Sequence, residues 1–254
     1  MPRRSFRYRR RFGQHFLNSS RIAQRIVELA RVGHETVCEI GAGKGILTAQ
    51  LAVRADKVFA VEIDPSLIDR LRSRSPDNVQ IIHEDFLNID LSDFAEPVIV
   101  GNIPYSISNE ILDRIVQQRN HIQRAVLMVQ KEYGDRLRAP VGSSRYGALT
   151  LYANYYFSVT KGFAVPARYF TPRPKVNSVV LLFEKKRVEF VVKDEARFFD
   201  FIRTLFRYRR KSLKNALRQV VETVPASAQK IIGNKRPQDT TLKELHTLYV
   251  ACKV

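Results

Sequence analysis

The sequence predicts an α/β fold in which a largely parallel sheet is followed by a small all-helical domain. Short apolar segments alternate with segments of helical spacing up to about residue 130, which is typical of βαβ architecture. After Lys186 the spacing is helical and no further strand is predicted. With 254 residues, 44% of them hydrophobic, the chain has room for one large domain and a small appendage.

The predicted elements follow one another in βαβ order. The first helix begins after Ser19 or Ser20, either of which can cap it, and places apolar side chains at helical spacing from Ile22 to Ala30. The predicted strands cover residues 36–40, 58–63, 79–82, 97–101 and 124–129, and the helices between them cover 46–54, 65–73 and 108–117.

The second half of the chain is less regular. Residues 144–157 suit a helix or a strand, and 178–183 predict a buried strand because of their β-branched content. Helical spacing returns at 195–207, 210–221 and 240–250. We therefore predict a basic arm at 1–12, a sheet domain at 13–184 and a helical domain at 185–254.

The charge predicts a polyanionic partner. Lys and Arg number 43 against 25 Asp and Glu, which gives a net charge of +18 and a pI near 10.2. The first eleven residues contain six arginines and no acid, so we expect a mobile basic arm. A solvated tail and an organellar presequence are the alternatives.

A second basic stretch follows the helical pattern at 195–207. It contains Arg203, Arg207, Arg209, Arg210, Lys211, Lys214 and Arg218. Such side chains contact nucleic-acid phosphates without reading sequence, although a solvated helix face has the same composition. We predict RNA binding by Arg207, Arg209, Arg210, Lys211 and Lys214, together with Arg9, Arg10 and Arg11 of the arm.

Other classes of protein are not supported. No apolar segment approaches the roughly 18 residues of a membrane span. Cys38 and Cys252 are too few for a disulfide framework, and the five histidines form no ligand pair, so we expect no metal and a cytoplasmic location.

A glycine-rich turn follows the first predicted strand. Gly41 and Gly43 permit a sharp turn and the close approach of a ligand. A phosphate-loop NTPase needs Ser or Thr after the lysine, but Gly45 follows Lys44. A dinucleotide site favours glycine where Ile46 stands, so neither class is predicted.

Two carboxylates follow the next strands. Glu62 lies 21 residues after Gly41, where a carboxylate can accept hydrogen bonds from both ribose hydroxyls of an adenosine ligand. Asp85, after the third strand, is placed to accept from an adenine amine. Taken singly, Glu62 is more simply a surface carboxylate at a strand end, and Asp85 is equally consistent with a helix cap.

The fourth predicted strand is followed by Asn102, Ile103, Pro104 and Tyr105. Proline holds the preceding residue extended, so the Asn102 side chain and the Ile103 carbonyl can both point into a cleft. Two acceptors would favour the reactive, pyramidal form of an amine on an aromatic base. Tyr105 offers a face on which a base can stack. A proline turn with a buried tyrosine is the alternative, but the position after the fourth strand, downstream of the glycine turn and Glu62, favours the functional interpretation.

Together these motifs resemble the S-adenosylmethionine-dependent rRNA adenine N6-methyltransferases. The matching segments are residues 13–17 (GQHFL), 39–43 (EIGAG), Glu62, Asp85, 102–105 (NIPY) and 170–178 (FTPRPKVNS). They occur in family order across about residues 11–220, which is more specific than any single motif. The resemblance implies a Rossmann-like class I methyltransferase sheet.

The resemblance also implies roles for individual residues. His15 and Leu17 would contact the cofactor S-adenosylmethionine, Gly41 and Gly43 would make room for its methionine part, and Glu62 would hold the ribose. Asp85 would bind the adenine amine, and Asn102 would lie between cofactor and target. Asn102, Ile103, Pro104 and Tyr105 would act on the target adenine, with Phe170 stacking on its other face; core packing is the alternative for Phe170.

Within the family the chain is most similar to the KsgA-type small-subunit dimethyltransferases, through residues 130–132, 144–147 and 209–215. The expected activity is N6,N6-dimethylation of two adenines of small-subunit rRNA in a pre-ribosomal particle, by a monomer that does not bind membranes. An Erm-type large-subunit methyltransferase is the alternative, because Ala42 and Asn177 depart from the dimethyltransferase pattern. A second alternative is a ribosome-assembly factor whose catalytic activity is dispensable.

Overall fold

A computed structural model describes residues 14–252. The elements up to the middle of the chain are β1 Phe16–Leu17, α1 Ser20–Ala30, β2 Thr36–Ile40, α2 Ile46–Ala52, β3 Lys57–Glu62, α3 Pro65–Arg72, β4 Val79–His83, β5 Val98–Asn102, α4 Ser108–Gln117 and β6 Arg124–Gln130. The rest are α5 Lys131–Leu137, α6 Ala148–Tyr156, β7 Phe157–Val165, β8 Phe170–Thr171, β9 Ser178–Lys185, α7 Glu195–Arg207, α8 Leu213–Leu217, α9 Gln229–Ile232 and α10 Leu242–Cys252.

The main sheet has seven strands in the order β4-β3-β2-β5-β6-β9-β7. Strands β4, β3, β2, β5 and β6 are parallel, and β9 joins β6 antiparallel. The predicted α/β class with a largely parallel sheet is therefore confirmed. Between residue 186 and residue 252 the structure contains helices and no strand, as the predicted helical end requires.

A second, two-stranded sheet brings distant parts of the chain together. Strand β1 pairs antiparallel with β8, with Phe16 opposite Thr171 and Leu17 opposite Phe170. Both strands have two residues, too few for a hydrophobic period to reveal them in the sequence. This pairing fixes the segment before α1 against the segment before β9.

The core consists of the sheet and the helices that cover it. Strand β5 is buried at Val98, Ile99 and Val100, as expected of a parallel strand covered on both faces. Helix α1 buries the predicted apolar stripe from Ile22 to Ala30, and the Ser19 hydroxyl accepts from the Ile22 N–H at its start.

Some boundaries differ from the predicted ones. Residues 144–157 are not one element: α6 ends at Tyr156 and β7 begins at the next residue. Strand β7 was not predicted, because it lies at the sheet edge with mostly exposed or half-buried side chains and so lacks an apolar run. The predicted helix at 210–221 is shorter in the structure, at Leu213–Leu217, with Ser212 as its cap.

The chain groups into two compact units. The first extends to Gly134 and resumes at Ser158–Lys185, and the second comprises Asp135–Phe157 and the chain from Lys186. In the second unit Phe198 and Phe201 of α7 are buried among aromatic neighbours such as Tyr249. The domain boundary at residue 184 stays a prediction, and the basic arm lies outside the described residues.

No helix within residues 14–252 combines the length and the apolar character that crossing a membrane requires.

Candidate active site

The candidate site lies where the order of the parallel strands reverses. The chain proceeds from β2 to β3 and β4 on one side, and β5 and β6 lie on the other. Ligands of open α/β sheets bind at the carboxyl ends of the strands at such a point. A cavity of about 280 Å³ lies there, and its wall includes Gly41, Glu62, Asp85 and Asn102, the residues that follow or end four different strands.

The glycine turn forms one wall of this cavity. The N–H groups of Gly41 and Ala42 both donate to the Val61 carbonyl, at 2.9 and 3.0 Å. The Gly43 N–H donates to Glu62 Oε2 at 2.7 Å. These three amides are therefore engaged within the protein, so the turn does not offer them to a ligand phosphate as a phosphate loop would.

Gly41 and Gly43 meet different requirements in the turn. Both have positive φ, +70° and +58°, where other residues are strained. A Cβ on Gly43 would lie 3.0 Å from the Phe16 ring, whereas no atom of the described residues would lie within 4 Å of one on Gly41. Gly43 therefore permits close packing of the chain, and Gly41 leaves space in the cavity wall.

Glu62 is buried at the end of β3, with 4% of its surface exposed. Each carboxylate oxygen accepts a backbone N–H, Oε2 from Gly43 and Oε1 from Asp64 at 2.8 Å. Burial raises the pKa of Glu62, and these two hydrogen bonds oppose that shift. A carboxylate has about four acceptor positions, so both oxygens can still accept from a ligand.

A second buried carboxylate, Glu39, lies in β2 beside this turn. The Thr48 hydroxyl donates to its Oε2 at 2.6 Å. Complete burial raises the pKa of Glu39 to about 8, and the nearby charge of Glu62 adds to the shift. Glu39 therefore holds a proton at neutral pH and links β2 to helix α2.

The charged side chains of the cavity wall are acidic. Glu62, Glu84 and Asp85 line it, and among the described residues no lysine or arginine does. Asp85 also begins a short 3₁₀ turn, accepting from the Leu87 N–H at 3.0 Å. In a chain of net charge +18, an acidic cavity selects a neutral or cationic ligand and disfavours a nucleoside phosphate.

Asn102 ends β5 and is tied to the segment before α1. Its Nδ2 donates to the His15 carbonyl at 2.9 Å. A carbonyl can pair only with the nitrogen of an amide, so this bond leaves Oδ1 as the group available to accept. The next residue, Ile103, extends the ladder by donating its N–H to the Met128 carbonyl at 3.0 Å.

Tyr105 lies half-buried in the cavity wall. Its hydroxyl forms a hydrogen bond with Ser178 Oγ at 2.8 Å, and its ring lies 5.5 Å from the His15 ring at an angle of 34°. Burial raises the pKa of Tyr105, so the phenol stays neutral at physiological pH. Ser178 therefore holds the ring in place by its hydroxyl, leaving the ring face as the contact for a flat ligand.

The segment 14–17, here called the N-terminal strap, closes one side of the cavity. The His15 Nδ1–H donates to the Pro172 carbonyl at 2.7 Å. The Gln14 side-chain nitrogen donates to Asp64 Oδ2 at 3.2 Å, and Gln14 Oε1 is buried without a partner among the described residues. An unpartnered acceptor in a cavity wall suits a ligand that carries a hydrogen-bond donor.

Not every predicted site residue reaches the cavity. His15, Gly41, Gly43, Glu62, Asp85, Asn102, Ile103, Pro104 and Tyr105 line it. Leu17 and Phe170 face each other across the two-stranded sheet, are 6% and 3% exposed, and belong to the hydrophobic core instead. The ligand roles of all these residues stay predictions.

The predicted RNA-binding residues divide into three groups. Arg9, Arg10 and Arg11 lie outside the described residues. Arg207, Arg210, Lys211 and Lys214 are exposed. Arg209 is half-buried, and its guanidinium donates to the Ser144 carbonyl at 2.7 Å and to the Gln238 side chain at 3.2 Å, so it stabilises the second unit.

Three residues that shape the site have no role predicted from the sequence: Gln14, Asp64 and Ser178. Gln14 and Ser178 each lie within a motif quoted above, so their position was the available signal. Asp64 is buried, caps α3 by accepting from the Ser66 N–H and meets Gln14 across the fold, a contact that sequence spacing does not reveal. In the described part of the chain, no group of three or more His, Cys, Asp or Glu is arranged to hold a metal ion.

Comparisons with known proteins agree on one family. The profile of the family described as ribosomal RNA adenine dimethylase matches residues 5–250. Ribosomal RNA small subunit methyltransferase A of Acidobacterium capsulatum is 40% identical over 222 residues, which cover 84% of this chain and 78% of that protein.

Two solved structures are similar over most of their length. A dimethyladenosine transferase from Plasmodium falciparum aligns with a TM-score of 0.82 at 26% identity, over 93% of this chain and 96% of that one. The 23S rRNA methyltransferase ErmE aligns with a TM-score of 0.67 at 25% identity, over 94% of this chain and 100% of that one. The predicted methyltransferase-type sheet is confirmed by this likeness.

Proposed function

The chain belongs to the ribosomal RNA adenine dimethylase family, and on that basis we propose that it transfers methyl groups from S-adenosylmethionine to two adenines of small-subunit rRNA. The products are N6,N6-dimethyladenines formed during ribosome assembly. Membership confirms the sequence-based identification of the family and of the enzyme class.

The charge of the cavity is the observation that carries the cofactor assignment. Its wall contains Glu62, Glu84 and Asp85 and, among the described residues, no lysine or arginine. S-adenosylmethionine carries a sulfonium charge and no phosphate, so an acidic wall favours it over ATP or a dinucleotide. The engaged amides of the glycine turn point to the same choice.

The residues present suit the parts of this cofactor. Glu62 keeps acceptor positions for the ribose hydroxyls, Asp85 accepts from the adenine amine, and the open space beside Gly41 takes the methionine part. Gln14 Oε1, which is buried and has no partner within residues 14–252, accepts a hydrogen bond from a further donor group of the cofactor. When bound, the cofactor supplies an electrophilic methyl group, which makes a covalent enzyme intermediate unnecessary.

Asn102 and Tyr105 act on the target base. Asn102 Oδ1 accepts a hydrogen of the adenine amine, because Nδ2 is already committed to the His15 carbonyl. With the Ile103 carbonyl as the second acceptor, the amine becomes pyramidal and its lone pair becomes available. The Tyr105 ring stacks on the base, which must leave its RNA stack to enter the cavity.

We assign a small-subunit substrate because of the sequence identity to the relatives and the extent of the structural likeness. The chain is 40% identical to a small-subunit methyltransferase and aligns with a dimethyladenosine transferase at a TM-score of 0.82, against 0.67 for ErmE. We propose a cytoplasmic monomer whose exposed cations at 207–214 contact phosphates of a pre-ribosomal particle. Large-subunit RNA is the alternative substrate.

Competition between substrates tests this function. Equal amounts of unmethylated small-subunit particles and unmethylated large-subunit RNA are incubated with the protein and radiolabelled S-adenosylmethionine. We expect the label in small-subunit RNA. Label confined to large-subunit RNA would assign an Erm-type activity, and tight RNA binding without label would assign an assembly factor.

A further inference from the structure

A second cavity, of about 450 Å³, adjoins the first and carries the opposite charge. Both belong to the first unit and share Phe16 in their walls. The charged side chains lining the second cavity are Lys44, Arg70 and Arg74, and among the described residues no aspartate or glutamate lines it. We call these three side chains the basic pocket.

The three cations come from two separate parts of the chain. Lys44 lies in the glycine turn, Arg70 in the last turn of α3, and Arg74 beyond the end of that helix. Arg70 and Arg74 are four residues apart and lie on one face of this helix end, whereas Lys44 reaches the same cavity from a separate segment. The fold therefore collects the charges of this pocket.

Arg70 and Arg74 keep their guanidinium groups available. Neither group forms a hydrogen bond or ion pair with residues 14–252, whereas Arg124 pairs with Glu35 at 3.0 Å. The Lys44 ammonium lies 4.9 Å from the centre of the Phe16 ring, a contact that holds it at the wall shared by the two cavities. Two guanidinium groups without a partner among residues 14–252, together with a nearby ammonium, favour a bound anion.

A neutral donor completes the pocket. The Thr171 hydroxyl accepts from the Asn18 side-chain nitrogen at 3.0 Å, so its own hydrogen can be donated to a ligand. Both residues line the cavity, and Thr171 pairs with Phe16 across the two-stranded sheet. The same strand pairing therefore positions a wall of the acidic cavity and a donor of the basic one.

We propose that the basic pocket binds a phosphate group of the RNA substrate, beside the cavity where methyl transfer takes place. Arginine forks suit the oxygens of a phosphate, and a lysine adds a point charge. An RNA chain that delivers a base to the first cavity carries a phosphate on each side of that base, and the basic pocket shares the Phe16 wall with that cavity. The proposal rests on the proposed function for the source of the phosphate.

A double substitution and a matched control test the pocket. R70Q/R74Q removes two charges from it, and R21Q/R72Q removes two exposed charges that do not line it. Each protein is titrated with unmethylated small-subunit rRNA at several salt concentrations, and with S-adenosylhomocysteine. We expect R70Q/R74Q to bind the RNA about tenfold more weakly at low salt and to flatten the salt slope by about 1 for each lost phosphate contact.

The control should change the slope by less than about 1, since it loses only long-range attraction. The affinity for S-adenosylhomocysteine should stay unchanged in both variants. The pocket is overturned if R70Q/R74Q matches R21Q/R72Q in RNA binding and in a parallel titration with inorganic phosphate. Saturable phosphate binding lost only in R70Q/R74Q, with unchanged RNA binding, would support a phosphate site whose source is free phosphate.

The same preparations separate this proposal from the proposed function. Wild-type protein that dimethylates small-subunit rRNA, while the two variants bind both RNA and inorganic phosphate alike, would overturn the pocket alone. Wild-type protein that transfers no methyl group to RNA would overturn the proposed function, whatever the variants bind.

Discussion

The side-chain nitrogen of Asn102 donates to the main-chain carbonyl of His15 at 2.9 Å, across 87 residues of sequence. This bond links the end of β5 to the N-terminal strap. It also selects one orientation of the amide, in which Oδ1 is the acceptor left for a ligand. The strap thus closes the cavity and at the same time orients the residue assigned to the target amine.

Replacing Asn102 should slow methyl transfer. Asn102→Ala removes an acceptor for the target amine and is expected to lower the single-turnover rate of methyl transfer about 100-fold. Asn109→Ala, an exposed asparagine at the start of α4, should leave the rate unchanged. Rapid-quench experiments with labelled cofactor measure these rates. An Asn102→Ala rate within about threefold of the wild-type rate would remove Asn102 from the mechanism.

Replacing Glu62 should weaken cofactor binding. A glutamine has one oxygen, so either the Gly43 or the Asp64 N–H loses its acceptor in Glu62→Gln. Losing charge-assisted hydrogen bonds predicts a Kd for S-adenosylmethionine about 10 to 100 times higher by calorimetry. Asp69→Asn, an exposed carboxylate on α3, is the control. Equal affinities of Glu62→Gln and wild type would contradict the assignment.

Three glycine-to-alanine variants should rank in a fixed order of stability. Gly33→Ala meets open space at ordinary φ and should be nearly neutral, whereas Gly41→Ala meets open space at φ +70° and should cost about 1 kcal/mol in the free energy of unfolding. Gly43→Ala adds a Cβ contact at 3.0 Å with Phe16 to the same strain and should cost most. Urea unfolding gives the three values, and a Gly43→Ala protein as stable as Gly33→Ala would contradict the geometry.

Glu39 should make stability fall as pH rises. Its pKa is about 8 in the folded protein against 4.5 for an ordinary glutamate, so between these values the folded protein holds a proton that the unfolded chain releases. Raising the pH through this window therefore favours unfolding, by at most about 1.4 kcal/mol per pH unit from this group. In thermal melts from about pH 5 to about pH 8, the stability of Glu39→Gln should therefore depend less steeply on pH than that of the wild-type protein. Parallel curves for the two proteins would show that Glu39 does not hold the proton.

Tyr105 should act through its ring. Tyr105→Ala removes the stacking surface, worth about 1–3 kcal/mol per base, and should lower kcat/KM about 10- to 100-fold. Tyr105→Phe keeps the ring but loses the bond to Ser178, so it should resemble Ser178→Ala, with a loss of about fivefold. Steady-state methylation assays compare all three. Equal losses in Tyr105→Phe and Tyr105→Ala would assign the role to the hydroxyl instead.

The core of the site was predictable because it follows the strands. Gly41, Glu62 and Asn102 each end or follow a parallel strand, and such strands end at one edge of a sheet. Once the βαβ order was recognised, their convergence on one cavity followed. The spacing of residues along the sequence is therefore sufficient to predict the part of the site that is built on the sheet.

The parts built by distant contacts were not predictable from spacing. Strands β1 and β8 lie more than 150 residues apart and have two residues each, yet they carry Leu17 and Phe170 into the core and close the strap over the cavity. The basic pocket likewise joins a turn residue to residues at the end of a helix. In both cases packing between distant segments brings the residues together, and hydrophobic periodicity along the sequence does not predict such contacts.

Analysis of the modified nucleosides tests the central claim most directly. Unmethylated small-subunit particles are incubated with the protein and S-adenosylmethionine, and their RNA is digested and analysed by mass spectrometry. The account predicts N6,N6-dimethyladenosine at two adenines with the wild-type protein, and a strongly reduced amount with Asn102→Ala. Wild-type protein that leaves every small-subunit adenine unmodified, or that methylates another base, would contradict it.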